Sequence, residues 1–214
     1  MKTKVITLLF TVLAVAMTTA QNSEKAKKLL NEVSEKVKSY DNIVLDFKYA
    51  LDNNKEGIHQ ETRGSATLQG DKYFLQLMGA SRMFDGKKLY TISPENEEVT
   101  ISSVSDDNED EITPSKMLTF YEKGYSFHWD IMQNVKGRKV QYVLLKPIKE
   151  SDLKEILLGI DSETKHIYKL IQKQHNGTHI TITVNSYKTN QPIPSSLFTF
   201  DASKYEDYYI NNLD

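Results

Sequence analysis

The spacing of apolar residues changes along the chain from a helical period to a strand period. Between Ser23 and Tyr40, apolar residues recur at offsets of three and four, and lysines and glutamates fill the positions between them. This pattern predicts an amphipathic helix. From Ile43 to Leu51, apolar residues occupy every second position, which predicts a β-strand with one apolar face directly after the helix.

Strand patterns separated by turn residues continue through most of the remaining chain. Asp85-Gly86 and Asn176-Gly177 are the clearest hairpin signals, because glycine and its polar neighbour favour tight turns. Leu197–Phe200 can add a final edge strand before a polar tail. The other strands are predicted at Ile58–Gln69, Tyr73–Met78, Leu89–Ser93, Val99–Val104, Tyr125–Ile131, Gln141–Ile148, Lys154–Ile160, Tyr168–Lys173 and Thr178–Lys188.

The middle of the chain interrupts this series of strands. Ser105–Glu111 is too acidic and too poor in apolar residues to be buried, which predicts an exposed loop. Thr113 and Pro114 can begin a second, short helix that ends at Gly124. The whole pattern indicates a mainly β protein with helices, built from about ten antiparallel strands. A closed barrel and an open half barrel covered by helices both satisfy it.

The first twenty residues have the pattern of a cleaved secretory signal. A basic start is followed by an apolar run from Val5 to Met17 and by small residues up to Ala20, and the run is too short to span a membrane as a helix. We therefore expect a signal peptide at 1–20 and a single exported domain at 21–214. The sequence contains no cysteine, so it offers neither disulfides nor a thiol for lipidation. The acidic balance argues against nucleic-acid binding.

Residues that carry catalytic or metal chemistry do not cluster in the sequence. His175 and His179 have the spacing of a helical metal pair, but Asn176-Gly177 places a turn between them and no third ligand is evident. We find no nucleophile motif and no phosphate-binding glycine loop. The sequence therefore predicts a protein that is not an enzyme and has no cofactor and no metal site. The apolar residues of the first and third strands and of the second helix form either a packed core or a deformable cavity.

Four segments resemble the LolA-like periplasmic carriers of lipoproteins in Gram-negative bacteria. VSEKVKSYDNIVLDFKYAL resembles the first helix and strand of that family, and GSATLQGDKYFL resembles its second hairpin. The most specific segment is FDGKKLYTISPENEEVTI, and TPSKMLTF and LFTFD follow in the same order as in the family. The resemblance covers nearly the whole chain after residue 20. It implies an open antiparallel half barrel whose apolar concave face is covered by a helical lid.

The resemblance also implies a function and a site. Acyl chains of lipoproteins would bind between sheet and lid, an ABC-type exporter of the inner membrane would load the carrier, and an outer-membrane receptor or the membrane itself would accept the cargo. A monomer is expected. A lipid other than a lipoprotein, or a role in sensing envelope stress, remains the alternative. The family's arginine that links sheet to lid falls here on Gly70.

Three positions of the site are carried over from the family. Phe74 corresponds to an aromatic residue on the ligand-facing sheet, Leu118 to an apolar residue of the lid, and Leu170 to the sheet residue that the closed lid contacts. The complete predicted acyl-chain site consists of Leu45, Phe47, Tyr49, Tyr73, Phe74, Leu75, Leu77, Met117, Leu118, Phe120, Tyr121 and Leu170.

Overall fold

One large sheet forms most of the protein. The computed structural model describes residues 21–103 and 118–214, and its sheet contains twelve strands. The strands are β1 Ile43–Asn53, β2 Ile58–Gln69, β3 Lys72–Leu77, β4 Ala80–Phe84, β5 Lys88–Ser93, β6 Glu98–Ser103, β7 Tyr125–Val135, β8 Arg138–Pro147, β9 Leu153–Asp161, β10 Ile167–Gln174, β11 His179–Thr189 and β12 Tyr209–Asn212. The 3-10 helices are Pro94–Asn96, Phe120–Glu122, Ser195–Phe198 and Ala202–Tyr205.

The sheet is open, and β1 lies in its middle. The strand order is β12-β6-β5-β4-β3-β2-β1-β11-β10-β9-β8-β7, so β12 and β7 form the two edges. Ten of the eleven neighbouring pairs are antiparallel, whereas β12 pairs with β6 in parallel. Of the two architectures that the sequence left open, the structure has the unclosed one.

The sheet has twelve strands instead of the predicted ten or so, because two strands were not predicted and one predicted strand is a 3-10 helix. β4 was not predicted, since its turn places Met78 at φ 53° and Gly79 at φ 76°, and a methionine rarely marks such a turn. β12 lies in the segment predicted to be a polar tail. The edge strand predicted at Leu197–Phe200 is wrong, because the chain forms the 3-10 helix Ser195–Phe198 there.

The amphipathic helix predicted near the start is confirmed. Residues 21–38 form an α-helix, here called α1. Its predicted apolar face lies against the sheet, where Val33 is completely buried and Leu30 is almost so, while the lysines and glutamates of the helix are mostly exposed. The helix ends at Ser39, whose side chain donates a hydrogen bond to the carbonyl oxygen of Lys36 at 2.7 Å. α1 therefore covers one face of the sheet.

The face of the sheet that packs against α1, here called the inner face, carries the main core. Alternation along the strands places the residues of this face at every second position. The exception is β10, where a shift in its pairing with β9 leaves Ile167 and Leu170 three positions apart on the same face. The core that they form with α1 includes Ile43, Leu45 and Phe47 of β1, Ala66 and Leu68 of β2, Tyr73 of β3, Val143 and Leu145 of β8, Ile156, Leu158 and Ile160 of β9, and Ile167 and Leu170 of β10.

The C-terminal segment packs on the opposite, outer face of the sheet. The 3-10 helix Ser195–Phe198 contacts β3, and Phe198 is buried. Beyond it, the ring of Phe200 stacks on Tyr90 of β5 with centroids 4.6 Å apart. Tyr205 stacks on Phe200 in turn, with centroids 5.5 Å apart. Both faces of the sheet are thus apolar near β3, and different segments of the chain cover them.

Some sequence predictions concern residues that the structure does not describe. The signal peptide at 1–20, the acidic loop at 105–111 and Met117 lie outside the described residues. The second helix was predicted to end at Gly124, and its described part is the single 3-10 turn Phe120–Glu122. Within 21–103 and 118–214, no helix has the length and apolarity needed to cross a membrane.

A candidate apolar binding site beneath Leu118

A small apolar cavity lies on the inner face of the sheet. Its volume is about 40 Å³, room for only a few water-sized groups. Every described residue of its wall is apolar, so these side chains offer a ligand apolar contacts. The wall consists of Leu45 and Phe47 of β1, Ala66 of β2, Leu75 of β3, Ile167 and Leu170 of β10, Ile182 and Val184 of β11, and Leu118.

The strand registers explain why these side chains meet. Leu45 of β1 lies directly opposite Ala66 of β2, and Ala66 lies opposite Leu75 of β3. On the other side of β1, Leu170 of β10 lies opposite Ile182 of β11. Directly opposite residues of an antiparallel pair point to the same face of the sheet. The cavity therefore rests on a continuous apolar surface that crosses β3, β2, β1, β11 and β10.

Gly64 of β2 leaves room for the largest residue of the wall. Gly64 lies opposite Phe47 of β1, and an added Cβ would lie 2.6 Å from the Cζ atom of Phe47. The same Cβ would be 2.9 Å from the backbone oxygen of Gln76. Glycine at this position leaves room for the ring of Phe47 to approach β2 closely. This contact fixes the position of one side of the cavity.

A larger crevice lies outside the cavity, and Leu118 separates the two. The crevice has a volume of about 390 Å³ and contains charged and polar residues such as Lys38 and Asp71. Leu118 is 5% exposed and lines both spaces. Gly70, the position of the family's arginine, also lines the crevice. Because Gly70 has φ +56° in the turn between β2 and β3, a side chain there would be strained.

The segment from Leu118 to Glu122 is attached to α1 by a polar contact. The Glu122 carboxylate accepts hydrogen bonds from the Ser34 hydroxyl and from the Lys38 ammonium group, the latter at 2.7 Å. These two hydrogen bonds, first that of Lys38, hold the pKa of Glu122 below its usual value. Ser34 is buried, whereas both partners of the ion pair are substantially exposed. This cluster of Ser34, Lys38 and Glu122 is here called the latch. It joins the segment from Leu118 to Glu122, here called the cover, to α1.

A group of aromatic side chains surrounds Tyr40, which lines the crevice. The Tyr40 hydroxyl forms a hydrogen bond of 2.8 Å with Nε2 of His166, and the imidazole ring stacks on Tyr187 with centroids 3.9 Å apart. Burial lowers the pKa of His166, and the nearby Lys36 adds to this effect. Tyr187 lies opposite Leu45, a residue of the cavity wall. Tyr40 lines the crevice, so this aromatic group connects the crevice with the cavity.

The structure brings most of the predicted site residues together. Leu45, Phe47, Leu75, Leu118 and Leu170 line the cavity. Five other predicted residues do not line the cavity but belong to the same apolar core: Tyr49, Tyr73, Leu77, Phe120 and Tyr121. Met117 lies outside the described residues.

Phe74 is placed differently from the other predicted residues. It lies opposite Met83 of β4, and neither residue belongs to the inner core. Its neighbours Tyr73 and Leu75 do pack in that core, so alternation directs Phe74 to the outer face. The described structure thus places Phe74 on the face opposite the cavity, away from the other predicted site residues. The cavity wall also contains four residues that were not predicted, namely Ala66, Ile167, Ile182 and Val184. The alternation of Ile180, Ile182 and Val184 in β11 was a signal that could have identified two of them.

Chemistry other than apolar contact has little support among the described residues. Across 21–103 and 118–214, no group of three or more histidines, cysteines, aspartates or glutamates is arranged to hold a metal ion. His179 begins β11 and His175 lies in the turn before it, as the hairpin prediction required.

Comparisons with known proteins find related sequences. The sequence model of the family described as Outer membrane lipoprotein carrier protein LolA matches residues 81–201, more than half of the chain. An Outer-membrane lipoprotein carrier protein from Pseudomonas fluorescens (strain Pf0-1) is 27% identical over 209 residues, which cover 95% of this chain and 98% of the relative. A protein of the same name from Pseudomonas putida (strain GB-1) is 25% identical over 204 residues, covering 94% and 95%.

A solved structure supports the fold independently of these sequences. A conserved protein from Thermus thermophilus superimposes with a TM-score of 0.56 and covers 88% of this chain and 99% of its own. The two sequences are 8% identical, so this likeness concerns the fold alone.

Proposed function

The chain belongs to the LolA family of outer membrane lipoprotein carrier proteins, and we propose that it binds the acyl chains of lipoproteins on the inner face of its sheet. The observation that carries this proposal is the wholly apolar cavity beneath Leu118. We further propose that the protein works in the periplasm, carries lipoproteins to the outer membrane and catalyses no reaction. The pattern of residues 1–20 supports export.

The energetics of lipid exposure make a carrier necessary for such cargo. Each methylene transferred from water to an apolar site contributes about 0.8 kcal/mol. One chain of roughly sixteen carbons therefore costs on the order of 12 kcal/mol to expose. A lipoprotein cannot cross an aqueous compartment unaided against this cost. An apolar site that encloses the chains removes most of it.

The cavity must enlarge before it can accept an acyl chain. At about 40 Å³ it is much smaller than such a chain, so we assign the described structure to a closed state. The proposed opening separates the segment around Leu118, together with α1, from the sheet. Closing buries apolar surface again and thereby favours release of the ligand. An exporter at the inner membrane would provide the work of loading, and a receptor or the membrane itself would accept the cargo.

Filling the cavity tests the proposed site. Ala66→Val adds two methyl groups to the wall and keeps a residue suited to a strand. Every methylene of the ligand that the larger side chain excludes from the cavity weakens binding by about 0.8 kcal/mol, or about fourfold. We therefore expect a synthetic triacylated lipopeptide to bind Ala66→Val at least fourfold more weakly, measured by isothermal titration calorimetry. The unliganded variant should unfold at the same or a higher temperature.

Ala50→Val is the matched control for this experiment. Ala50 of β1 is as buried as Ala66, at 7% against 4% exposure, and it does not line the cavity. Its lipopeptide affinity should stay within twofold of the unmodified protein. Equal affinities of both variants would contradict the proposed site. Rescue of lipoprotein sorting in a strain depleted of its own carrier would then test the transport role separately from binding.

A further inference from the structure

Two tyrosine hydroxyl groups are buried in the core without hydrogen-bond partners. The hydroxyls of Tyr121 and Tyr187 are both inaccessible to solvent and unpaired among the residues that the structure describes. Tyr121 is 1% exposed as a whole. An unpaired buried hydroxyl destabilises the folded protein, so two in the same apolar core call for an explanation.

Both tyrosines belong to the apolar core of the inner face, which also contains most of the residues of the cavity wall. Tyr121 follows three residues after Leu118 in the cover, and Tyr187 lies opposite Leu45 in the sheet. Leu118 and Leu45 both line the cavity. The ring of Tyr187 also stacks on His166, the residue before Ile167 of the cavity wall. The two hydroxyls thus belong to the surroundings of a space whose own wall is entirely apolar.

The electrostatics of the two groups agree with this position. Burial raises the pKa of Tyr121 and of Tyr187 far above the ordinary value, so both hydroxyls keep their protons and can donate. Tyr187 makes a smaller contribution to the raised pKa of Tyr121, after burial and the nearby Glu122. Tyr40, which lines the crevice, contributes likewise to that of Tyr187.

We infer that the hydroxyls of Tyr121 and Tyr187 donate hydrogen bonds to the carbonyl oxygens that link bound acyl chains to their headgroup. This inference rests on the proposed function and adds to it the recognition of an acyl linkage, rather than of hydrocarbon alone. An ester carbonyl accepts hydrogen bonds and donates none, which suits two protonated hydroxyls. The methylenes fill the apolar cavity, and the carbonyl end lies toward Tyr40 and the crevice.

A pair of ligands that differ only in their carbonyl groups tests the inference. The first is a synthetic lipopeptide with two ester-linked palmitoyl chains, and the second is its ether-linked analogue, which lacks the carbonyl oxygens. The unmodified protein should bind the ester form about three- to thirtyfold more tightly by calorimetry, because one or two hydrogen bonds are lost with the ether. Tyr121→Phe combined with Tyr187→Phe should reduce ester binding to the level of the ether and leave ether binding unchanged.

Stability measurements separate this role from a structural one. Because the hydroxyls have no partner among the described residues, the double variant without ligand should unfold at the same or a higher temperature than the unmodified protein. Tyr142→Phe is the control, because Tyr142 is buried outside the inner core. It should preserve the preference for the ester. A double variant with lower thermal stability and an undiminished ester preference would overturn the inference.

The outcomes distinguish this inference from the proposed function. Failure of the unmodified protein to bind either lipopeptide would contradict acyl-chain binding itself. Equal affinity for ester and ether would contradict only the role of the two tyrosines. The same comparison with a diacyl phosphatidylethanolamine and its diether form identifies the source of the linkage. An ester preference confined to the lipopeptide indicates lipoprotein recognition, and one shared with the phospholipid indicates acyl esters in general; both support the inference.

Discussion

The latch of Ser34, Lys38 and Glu122 offers a test of how the cover is held on the cavity. Glu122→Ala removes both an ion pair and the acceptor of the Ser34 hydroxyl. The ion pair is exposed, at 63% for Lys38 and 40% for Glu122, so it contributes at most about 1 kcal/mol. Ser34 is 6% exposed, and leaving its hydroxyl without an acceptor costs about 1–3 kcal/mol. We expect Glu122→Ala to lower the free energy of unfolding by about 2 kcal/mol.

Glu122→Gln separates the two contributions. Its amide oxygen still accepts a hydrogen bond from Ser34, and only the charge is lost. The expected loss is therefore about 0.5 kcal/mol, measured by urea unfolding followed by circular dichroism. Glu61→Ala is the control, because Glu61 forms a similarly exposed ion pair with Lys48 at 2.8 Å far from the latch. The control should change the free energy of unfolding by less than about 0.5 kcal/mol.

The latch also makes a prediction about ligand binding. If Glu122 stabilises the closed state, its loss should favour the open state and tighten binding of the triacylated lipopeptide. A change of about 2 kcal/mol in that equilibrium raises the apparent affinity by up to about thirtyfold. Equal losses of stability in Glu122→Ala and Glu122→Gln would refute the assignment of a buried hydrogen bond to Ser34. Unchanged lipopeptide affinity in Glu122→Ala would refute the role of this contact in closure.

Two further predictions concern the cavity wall and pH. Gly64→Ala places a Cβ atom 2.6 Å from Phe47, so it should lower the free energy of unfolding by about 1–3 kcal/mol in urea titrations, and a loss below about 0.5 kcal/mol would show that the ring moves freely. Because burial lowers the pKa of His166 from 6.5, the unfolded chain takes up a proton before the folded chain does as the pH falls. The free energy of unfolding should therefore decrease as the pH falls below about 6.5, by at most about 1.4 kcal/mol per pH unit from this group. A His166→Gln variant whose free energy of unfolding changes with pH just as steeply between about pH 5 and 6.5 would contradict this assignment.

Local patterns determined much of the fold that could be predicted. The helical spacing of Leu29, Leu30 and Val33 gave the correct buried face of α1, and alternation in β1 gave the correct inner residues. These signals depend on burial of one face by residues close in sequence. β12 has no such signal, because its partner β6 lies about a hundred residues earlier and pairs with it in parallel. A four-residue strand that depends on a distant neighbour leaves little trace in its own sequence.

The candidate site shows the same limit at single residues. In β3, Tyr73, Phe74 and Leu75 are all apolar, so alternation alone could not decide which of them face the helix. The outer face is apolar there because the distant C-terminal segment covers it, with Phe198 buried. Ala66 was missed for another reason: its small side chain forms the cavity through the space that it leaves unfilled. Such a contribution depends on the surrounding side chains and not on the type of residue.

Photo-crosslinking of a bound lipopeptide is the most direct test of whether acyl chains bind on the inner face of the sheet. A triacylated lipopeptide with a diazirine near the end of one acyl chain is bound to the purified protein and irradiated, and the labelled residues are identified by mass spectrometry. We expect labels on the cavity wall, at Leu45, Ala66, Val184 or Leu118. Labels on the outer face, at Ala50 or Phe74, or a protein that takes up no label while folded, would contradict it.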